Sequence, residues 1–214
     1  MPPVPAQPKL YHIVHHDRLP SIIARGALLS DAAVRKKGLA GTGIGYQNIK
    51  NRRLVNQIGC CPGLAVGACV PFYFCPRSVM LYVISRGNPG LVYADGQGPI
   101  VTLEFDLHTV RQDAEANGRR WAFTTSNAGA NVFQDFGSVA ELDHVRWDII
   151  NKRYWTQPDV KTAKQSEFLV EAEVPWQCVE RIGGENLTTL RQVANHLQGS
   201  SHRPVVQHLP QWYY

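Results

Sequence analysis

One acidic residue stands out among the side chains that could do chemistry. Glu167 follows a polar approach that contains Lys164 and Gln165, and it opens the apolar run Phe168-Leu169-Val170, which is typical of a strand. A carboxylate at the start of a buried strand can stabilise positive charge that develops on a ligand. It can also take the proton from an incoming nucleophile. Alone, this pattern is a weak signal, because any surface strand can show it by chance.

The sequence contains no competing catalytic group. The glycine-rich run 38–45 lacks the Gly-Lys-Ser/Thr ending of a P-loop and follows no clear strand, so a flexible loop is the better interpretation. The cysteines lack the paired spacing of a zinc site, and nothing marks one thiol as an activated nucleophile. We therefore predict no bound metal. The five cysteines are Cys60, Cys61, Cys69, Cys75 and Cys178.

Histidine and arginine side chains offer possible ligand contacts. His15 and His16 lie between a predicted strand and a predicted helix, where a side chain can face a pocket, although a structural role is more common for such a histidine. Arg52 and Arg53 lie in a basic segment. Their guanidinium groups suit contacts with phosphates or bases, and exposed surface charge is the alternative.

The positive charge is concentrated in the first part of the chain. The formal net charge is +5, and residues 1–60 carry nine Lys and Arg against two Asp. A basic segment on a nearly neutral body suggests an anionic ligand held there. A solvated basic face explains the same composition, so charge alone leaves both interpretations open.

Length and composition indicate an ordinary globular protein. The 214 residues fit one large domain, and 44% of them are hydrophobic. No apolar stretch approaches the ~18 residues of a membrane helix, and residues 1–8 do not have the pattern of a signal peptide. An odd number of cysteines without a framework suggests reduced thiols in the cytoplasm. We predict an extended leader at residues 1–9 and a single domain at residues 10–214.

The predicted elements alternate irregularly between strands and helices, which favours an α+β fold. Strands are predicted at residues 11–14, 70–74, 100–105, 121–124, 167–173, 179–182 and 205–208. Helices are predicted from an N-cap at Asp17 to Gly26 and at residues 107–117, 142–154 and 187–197. Residues 78–84 could be helix or buried strand. Residues 35–69 are predicted to form an irregular insertion with one short helix at residues 48–54.

Several segments, in the same order along the chain, resemble the DarT family of DNA ADP-ribosyltransferase toxins. The most specific is the run Val70-Pro71-Phe72-Tyr73-Phe74-Cys75-Pro76-Arg77-Ser78-Val79-Met80-Leu81-Tyr82. The others are Tyr11-His12-Ile13-Val14-His15-His16-Asp17-Arg18-Leu19, Tyr46-Gln47-Asn48-Ile49-Lys50-Asn51-Arg52-Arg53, Gln165-Ser166-Glu167-Phe168-Leu169-Val170 and Trp212-Tyr213-Tyr214. The resemblance extends from about residue 10 to the last residue.

The resemblance implies an ADP-ribosyltransferase (PARP-like) fold, in which a split mixed β-sheet core with flanking helices holds NAD in its cleft. The basic insertion would be a lid over NAD and substrate. Such enzymes transfer ADP-ribose from NAD to a base of single-stranded DNA and release nicotinamide, without a metal. They act as toxins, and a macrodomain-type or related ADP-ribosylglycohydrolase antitoxin removes the modification. No membrane association is expected.

The resemblance also implies roles for individual residues. Glu167 matches the catalytic glutamate, and Arg53 matches an arginine that contacts NAD and helps to order the active site. His15 would contact NAD, and Tyr73 and Phe74 would lie beside the nicotinamide. The candidates for contacts with DNA are Asn127, Arg52, Tyr46 and Arg77.

The acceptor base is less closely defined than the reaction. Thymine-modifying members of the family have a T-D-G-H-A-like run where this chain has Thr124-Thr125-Ser126-Asn127-Ala128, so that Asn127 replaces the histidine. An amide offers a base edge both a donor and an acceptor. A guanine-modifying branch exists, and guanine is slightly favoured over thymine. A transferase acting on RNA or protein and a non-catalytic nucleic-acid-binding module remain the alternative functions.

Overall fold

A mixed sheet with flanking helices forms the fold, which is described here from a computed structural model that covers residues 3–153 and 156–214. The α-helices are α1 Leu19–Arg25, α2 Asp31–Lys36, α3 Gln47–Arg53, α4 Val79–Ser85, α5 Leu107–Ala116, α6 Pro158–Ala163 and α7 Leu187–His196. The strands are β1 Lys9–His15, β2 Ala27–Leu29, β3 Cys69–Tyr73, β4 Ile100–Asp106, β5 Trp121–Thr124, β6 Asp135–Phe136, β7 Glu167–Glu171, β8 Glu173–Pro175, β9 Val179–Gly184 and β10 Val205–His208. The predicted α+β class is confirmed.

The large sheet is split between β1 and β3. Its strand order is β10-β9-β4-β1-β3-β7-β5-β6, with β10 parallel to β9 and the other neighbours antiparallel. β1 shares seven register pairs with β4 but only one, Tyr11 with Tyr73, with β3. The two halves of the sheet therefore diverge at this seam, and a cleft opens where backbone pairing stops.

Aromatic and β-branched side chains fill the core on both sides of this seam. Phe72, Phe105, Phe123 and Phe168 are completely buried, and Trp176 is 2% exposed. Fully burying one such side chain contributes roughly 1.5–3 kcal/mol. The four phenylalanines lie on strands from both halves of the sheet, so the shared core keeps the cleft walls in place although few backbone hydrogen bonds cross the seam.

Most predicted strands and helices are confirmed, and the ambiguous segment 78–84 forms α4, whose N-cap Ser78 accepts a hydrogen bond from the Leu81 amide at 3.2 Å. Gly26 ends α1 with a φ of 76°, a left-handed conformation that glycine adopts without strain. The first strand begins at Lys9, which is the last residue of the predicted leader. In the described part of the chain, no helix combines the length and apolarity needed to cross a membrane.

Two element predictions were wrong, and one helix was missed. Asp17 does not cap α1, because a 3₁₀ helix, His16–Arg18, precedes it and the Asp17 carboxylate instead contacts Thr42. Helix α2 was not predicted. It begins at Asp31, before the predicted insertion, and ends at Lys36, within it. The predicted helix at 142–154 is instead a 3₁₀ helix, Val139–His144, followed by turns, and its last residue lies outside the described residues.

Local side-chain contacts explain the lost helix at 142–154. The Leu142 carbonyl accepts from the Trp147 indole at 2.7 Å and from the Val145 amide at 3.2 Å, instead of from the amide of residue 146 as in a continuing α-helix. Arg146 and Asp148, two residues apart, form a forked ion pair, whereas residues at this spacing do not face each other on a helix. The segment therefore turns instead of extending.

Candidate active site

The cleft at the seam holds a cavity of about 430 Å³. The end of β1 and helix α1 line one wall, and β3 together with the start of β7 lines the other. The segment from α2 to α3, which overlaps the first half of the predicted insertion and is called the covering segment below, lies over it. Polar side chains that face the cavity include His12, His15, Tyr46, Arg53, Tyr73 and Glu167.

Glu167 occupies the first position of β7 and lies on the cavity wall. Its side chain is 6% exposed, and its backbone is in register with Tyr73 of β3. Oε1 accepts hydrogen bonds from Arg53 at 2.9 Å and from the Ala128 amide at 3.1 Å, while Oε2 accepts from Arg53 at 2.8 Å. Each carboxylate oxygen can accept about two hydrogen bonds, so Oε2 keeps one acceptor position for a ligand.

Arg53 is the last residue of α3, and the helix aims its guanidinium at Glu167. The two groups form a fork with two parallel hydrogen bonds, which is stronger and more directional than a single contact. Burial lowers the pKa of Arg53, but the charge of Glu167 and these hydrogen bonds raise it above its usual value overall. The arginine therefore stays charged and supplies a fixed cation to the carboxylate.

The loop after β5 holds Glu167 from behind. The backbone N–H of Glu167 donates to Thr124 Oγ1 at 3.2 Å, and the Thr124 hydroxyl donates to the Ser126 carbonyl at 2.7 Å. The Asn56 amide ties this loop to the segment after α3, because it donates to the carbonyls of Ala128 and Ala130. Sequence reasoning missed Thr124 and Ala128 as supports of the carboxylate.

Asn127 lies on the cavity lining, and neighbouring groups fix its side-chain amide. Its Nδ2 donates to Gln165 Oε1 at 3.1 Å, and its Oδ1 accepts from the Gly129 amide at 2.7 Å. One Nδ2 proton and one Oδ1 lone pair are left over. Asn127 can therefore still offer one donor and one acceptor to a ligand, in an orientation set by the protein.

His15 lies on the opposite wall at the end of β1. Its Nδ1 is 2.9 Å from Asp17 Oδ1, and its ring meets Tyr93 edge-on with centroids 5.9 Å apart. Asp17 also accepts hydrogen bonds from the hydroxyl and the amide of Thr42. The acidic side chain thus connects the histidine to the covering segment.

Further contacts hold the covering segment over the cavity. Arg18 donates to the carbonyls of Gly41 and Thr42, each at 2.8 Å. Lys50 on α3 lies 3.4 Å from Asp31 on α2. Most of these groups are partly exposed, in contrast to the fork between Glu167 and Arg53. The cover is therefore held by polar contacts that are accessible to water.

His12 bridges the seam and was not predicted as a site residue. Its Nδ1 is 2.8 Å from the Pro71 carbonyl, so the neutral ring donates a hydrogen bond from β1 to β3 where backbone pairing is absent. Burial lowers the pKa of His12, which favours this neutral form at physiological pH. In the sequence, the sign of this role is a histidine, His12, within the predicted strand at residues 11–14.

Three predicted site residues do not line the cavity. Phe74 is 3% exposed and packs in the core against Phe123 and Phe168. Phe74 directly follows the last residue of β3 and packs with the core phenylalanines, whereas Tyr73 faces the cavity. Arg52 is exposed and points away from the fork made by its neighbour, and the Arg77 guanidinium lies over the Tyr214 ring.

Tyr73 and Tyr46, in contrast, do line the cavity. Burial raises the pKa of the Tyr73 hydroxyl, and the nearby charge of Glu167 adds to this effect. Tyr73 therefore stays protonated and can act as a hydrogen-bond donor. Among the described residues no group of three His, Cys, Asp or Glu could hold a metal ion.

Comparisons with known proteins agree with this geometry. The family described as "ssDNA thymidine ADP-ribosyltransferase, DarT" matches residues 11–214. A protein from Thermus sp. (strain 2.9), named DNA ADP-ribosyl transferase, is 33% identical over 98% of this chain and 98% of its own length. A protein of the same name from Mycobacterium tuberculosis (strain ATCC 25618 / H37Rv) is 32% identical over 86% of this chain and 79% of its own length.

Solved structures are similar over the whole chain. Thermus sp. 2.9 DarT in complex with ADP-ribosylated ssDNA has a TM-score of 0.90 at 31% identity, covering 100% of this chain and 99% of that one. Thermus sp. 2.9 DarT in complex with NAD+ has a TM-score of 0.85 at 30% identity, covering 99% of this chain and 100% of that one.

Proposed function

Because the chain belongs to the DarT family of single-stranded-DNA ADP-ribosyltransferases, we propose that the cavity at the seam is where it transfers ADP-ribose from NAD to a DNA base. NAD is the co-substrate, and nicotinamide is the group that leaves. The protein acts as the toxin of a toxin–antitoxin pair. The observation that supports the location of the reaction is the buried fork between Glu167 and Arg53 on the cavity wall.

In this proposal Glu167 is the catalytic carboxylate. Arg53 and the Ala128 amide hold it in a fixed orientation, and the free acceptor position of Oε2 receives a substrate hydroxyl or the proton of the attacking base. A fixed anion stabilises cationic character on the ribose as nicotinamide leaves, because its orientation costs nothing at the moment of reaction. Arg53 is both a positioning residue for Glu167 and a candidate contact for NAD.

His15, Tyr73 and Tyr46 complete the proposed binding surface. His15 and Tyr73 face the cavity from opposite walls and offer hydrogen-bonding groups to NAD, while Tyr46 on the covering segment offers a ring for stacking against a base. Arg52 is exposed on α3, where it can contact DNA phosphates. Phe74 supports the wall from within the core.

Asn127 is the residue that we propose to read the acceptor base. Its side-chain amide keeps one unused donor and one unused acceptor, and groups of these two kinds complement the edge of guanine or of thymine. Guanine is our choice, because the histidine of the thymine-modifying pattern is absent.

Reaction of NAD with oligonucleotides that each contain one base type, followed by mass spectrometry, is expected to give an adduct on guanine. An adduct on thymine alone would contradict this choice.

Incubation with labelled NAD and separate pools of single-stranded DNA, RNA and protein tests the proposal as a whole. We expect label on DNA in the unmodified protein and none in the Glu167→Ala variant. Label on RNA or protein without DNA would indicate the first alternative function. DNA binding that is unchanged by Glu167→Ala, with no label on any pool, would indicate a non-catalytic module.

The cellular setting completes the proposal. We propose that the protein acts in the cytoplasm, where DNA and NAD are available and where its five free cysteines stay reduced. Its partner would be a macrodomain-type or related hydrolase that removes ADP-ribose from DNA. Residues 10–214 would act as one domain, because β1 and β10, from the two ends of the chain, lie in the same sheet.

A further inference from the structure

The loop after α3 presents two adjacent thiols. The Sγ atoms of Cys60 and Cys61 are 4.0 Å apart. Cys60 is exposed, whereas Cys61 is 8% exposed. The other three cysteines of the chain are each buried. Cys60 and Cys61 are thus a pair of neighbouring thiols with one member open to solvent.

The surrounding loop holds this pair in place. Asp135 on β6 accepts hydrogen bonds from the backbone amides of Gly59 at 3.0 Å and Cys60 at 2.7 Å. A tight turn closes the loop, in which the Leu64 amide donates to the Cys61 carbonyl at 3.0 Å. Gly63 takes the left-handed φ of 78° that this turn requires. The two thiols therefore start close together, so that a ligand binding both would not have to order the loop first.

The chemistry of the pair favours a soft ligand that binds two sulfurs. Two thiols are too few for the tetrahedral set of a structural zinc ion, but soft sulfur donors select thiophilic centres. Burial and the adjacent Asp135 carboxylate raise the pKa of the Cys60 thiol. A protonated thiol is a poor nucleophile toward ordinary alkylating agents.

A trivalent arsenical with an As=O group reacts differently, because it condenses with two neutral thiols. Two As–S bonds form, and the arsenic-bound oxygen leaves as water together with the two thiol protons. Arsenic remains trivalent, so no oxidant is needed. Because the two sulfurs become part of one ring, both must be present for a stable product.

We propose that Cys60 and Cys61 form a bidentate site for trivalent organoarsenical compounds, and that occupation of this site slows DNA modification. Cys60 lies beside Gly137, the residue after β6, since a Cβ atom added to that glycine would lie 3.6 Å from the Cys60 sulfur. A bulky substituent on the sulfurs has little room there, and the loop must move to accept it.

The loop also contacts the residues that hold the catalytic carboxylate. Asn56 donates to the carbonyls of Ala128 at 3.1 Å and Ala130 at 2.8 Å, and the Ala128 amide donates to Glu167. Two hydrogen bonds in series, from Asn56 to Ala128 and from Ala128 to Glu167, therefore connect the loop to the carboxylate. Movement of the loop is expected to shift Glu167 through them. This effect on activity rests on the proposed function, whereas binding of the arsenical does not.

Binding is tested with phenylarsine oxide at one equivalent and intact-mass measurement of the full chain. We expect one phenylarsenic adduct on the unmodified protein and on the Cys178→Ala variant, and none on Cys60→Ser or Cys61→Ser. A dithiol should remove the adduct, whereas the same concentration of a monothiol should not. An adduct that persists in either single variant, or that is lost in Cys178→Ala, would overturn the site.

The effect on activity is measured as the rate of transfer of label from NAD to single-stranded DNA. We expect a several-fold fall in the arsenical-loaded protein, recovery after addition of dithiol, and no response in Cys60→Ser. An unchanged rate in the loaded protein would overturn the coupling to Glu167 and leave the binding result intact. Absence of transfer before the arsenical is added would instead contradict the proposed function.

Discussion

Strand β7 carries a forked pair of glutamate and arginine at each of its ends, and the two pairs differ in their surroundings. At the first residue, Glu167 binds Arg53 with side chains that are 6% and 11% exposed. At the last, Glu171 binds Arg120 with side chains that are 27% and 42% exposed. The chemistry of the two pairs is the same. The difference shows that an ion pair becomes a candidate site through burial at a cavity, not through its geometry alone.

Removing the negative charge of the glutamate in each pair should reveal the largest difference between the two pairs, in the rate of DNA modification. We expect Glu167→Gln to lower the rate of DNA modification by about 100- to 1000-fold or more, since removal of one preorganised stabilising group has this effect in other enzymes. Glu171→Gln is the matched control and should retain nearly the full rate. The rate is measured with saturating NAD and single-stranded DNA. Similar losses in the two variants would contradict the distinction.

The arginines allow a second, smaller test. Lysine cannot make the two parallel hydrogen bonds of a guanidinium, so Arg53→Lys should lower kcat by roughly 10- to 100-fold, if the fork is worth about 1.5–3 kcal/mol. Arg120→Lys and Arg52→Lys keep the charge at exposed positions and should change kcat little. A full kcat in Arg53→Lys would show that charge alone is sufficient at that position.

A third variant asks whether contacts beyond the buried pair control access of the substrate. Asp17→Asn weakens the bond between the first cavity wall and Thr42 of the covering segment. Because the net value of such a hydrogen bond is about 1 kcal/mol, KM for NAD should rise by about fivefold while kcat changes little. Asp143→Asn, at an exposed position outside the cavity lining, is the control. A fall in kcat with unchanged KM would contradict this role.

The smallest expected effect concerns the exposed pair of Glu171 and Arg120, and how its contribution to stability depends on pH. Hydrogen bonding to Arg120 lowers the pKa of Glu171 below its usual value. The pair therefore adds stability above the unfolded-state pKa of about 4.3, and this stability is lost as the pH falls through the lower, folded-state pKa. Glu171→Gln should slightly reduce Tm at pH 7 and leave Tm unchanged at the lowest pH. A thermal melt of both proteins at each pH measures this change in Tm. An equal fall in Tm at both pH values would show that the ionised Glu171 does not stabilise the fold through Arg120.

The fold was largely predictable because local patterns and tertiary structure agree. The strand around Tyr11 and the run from Val70 are rich in aromatic and β-branched residues, and they form β1 and β3. The turns around Trp147 were not predictable, because a side-chain bond to the Leu142 carbonyl replaces the expected helix. Sequence periodicity does not record such a contact.

The site was predictable only in part for a similar reason. Glu167 and Arg53 were predicted as site residues because both match one family pattern, and the structure brings them together although 114 residues separate them. The Ala128 contact with Glu167 is made by a backbone amide, which every residue except proline carries, so no residue type marks it. Phe74 was predicted beside the nicotinamide because its segment resembles the family's, but it follows the last residue of β3 and packs in the core.

The single register pair between β1 and β3 also bears on how the protein opens. Native proteins exchange their amide hydrogens in contiguous cooperative units, whose opening free energies follow local packing and hydrogen bonding. The seam is a natural boundary between one unit formed by β1, β4, β9 and β10 and another formed by β3, β5, β6 and β7. A dinucleotide that contacts both walls would join the two units, so binding in the cleft would also protect amides far from it.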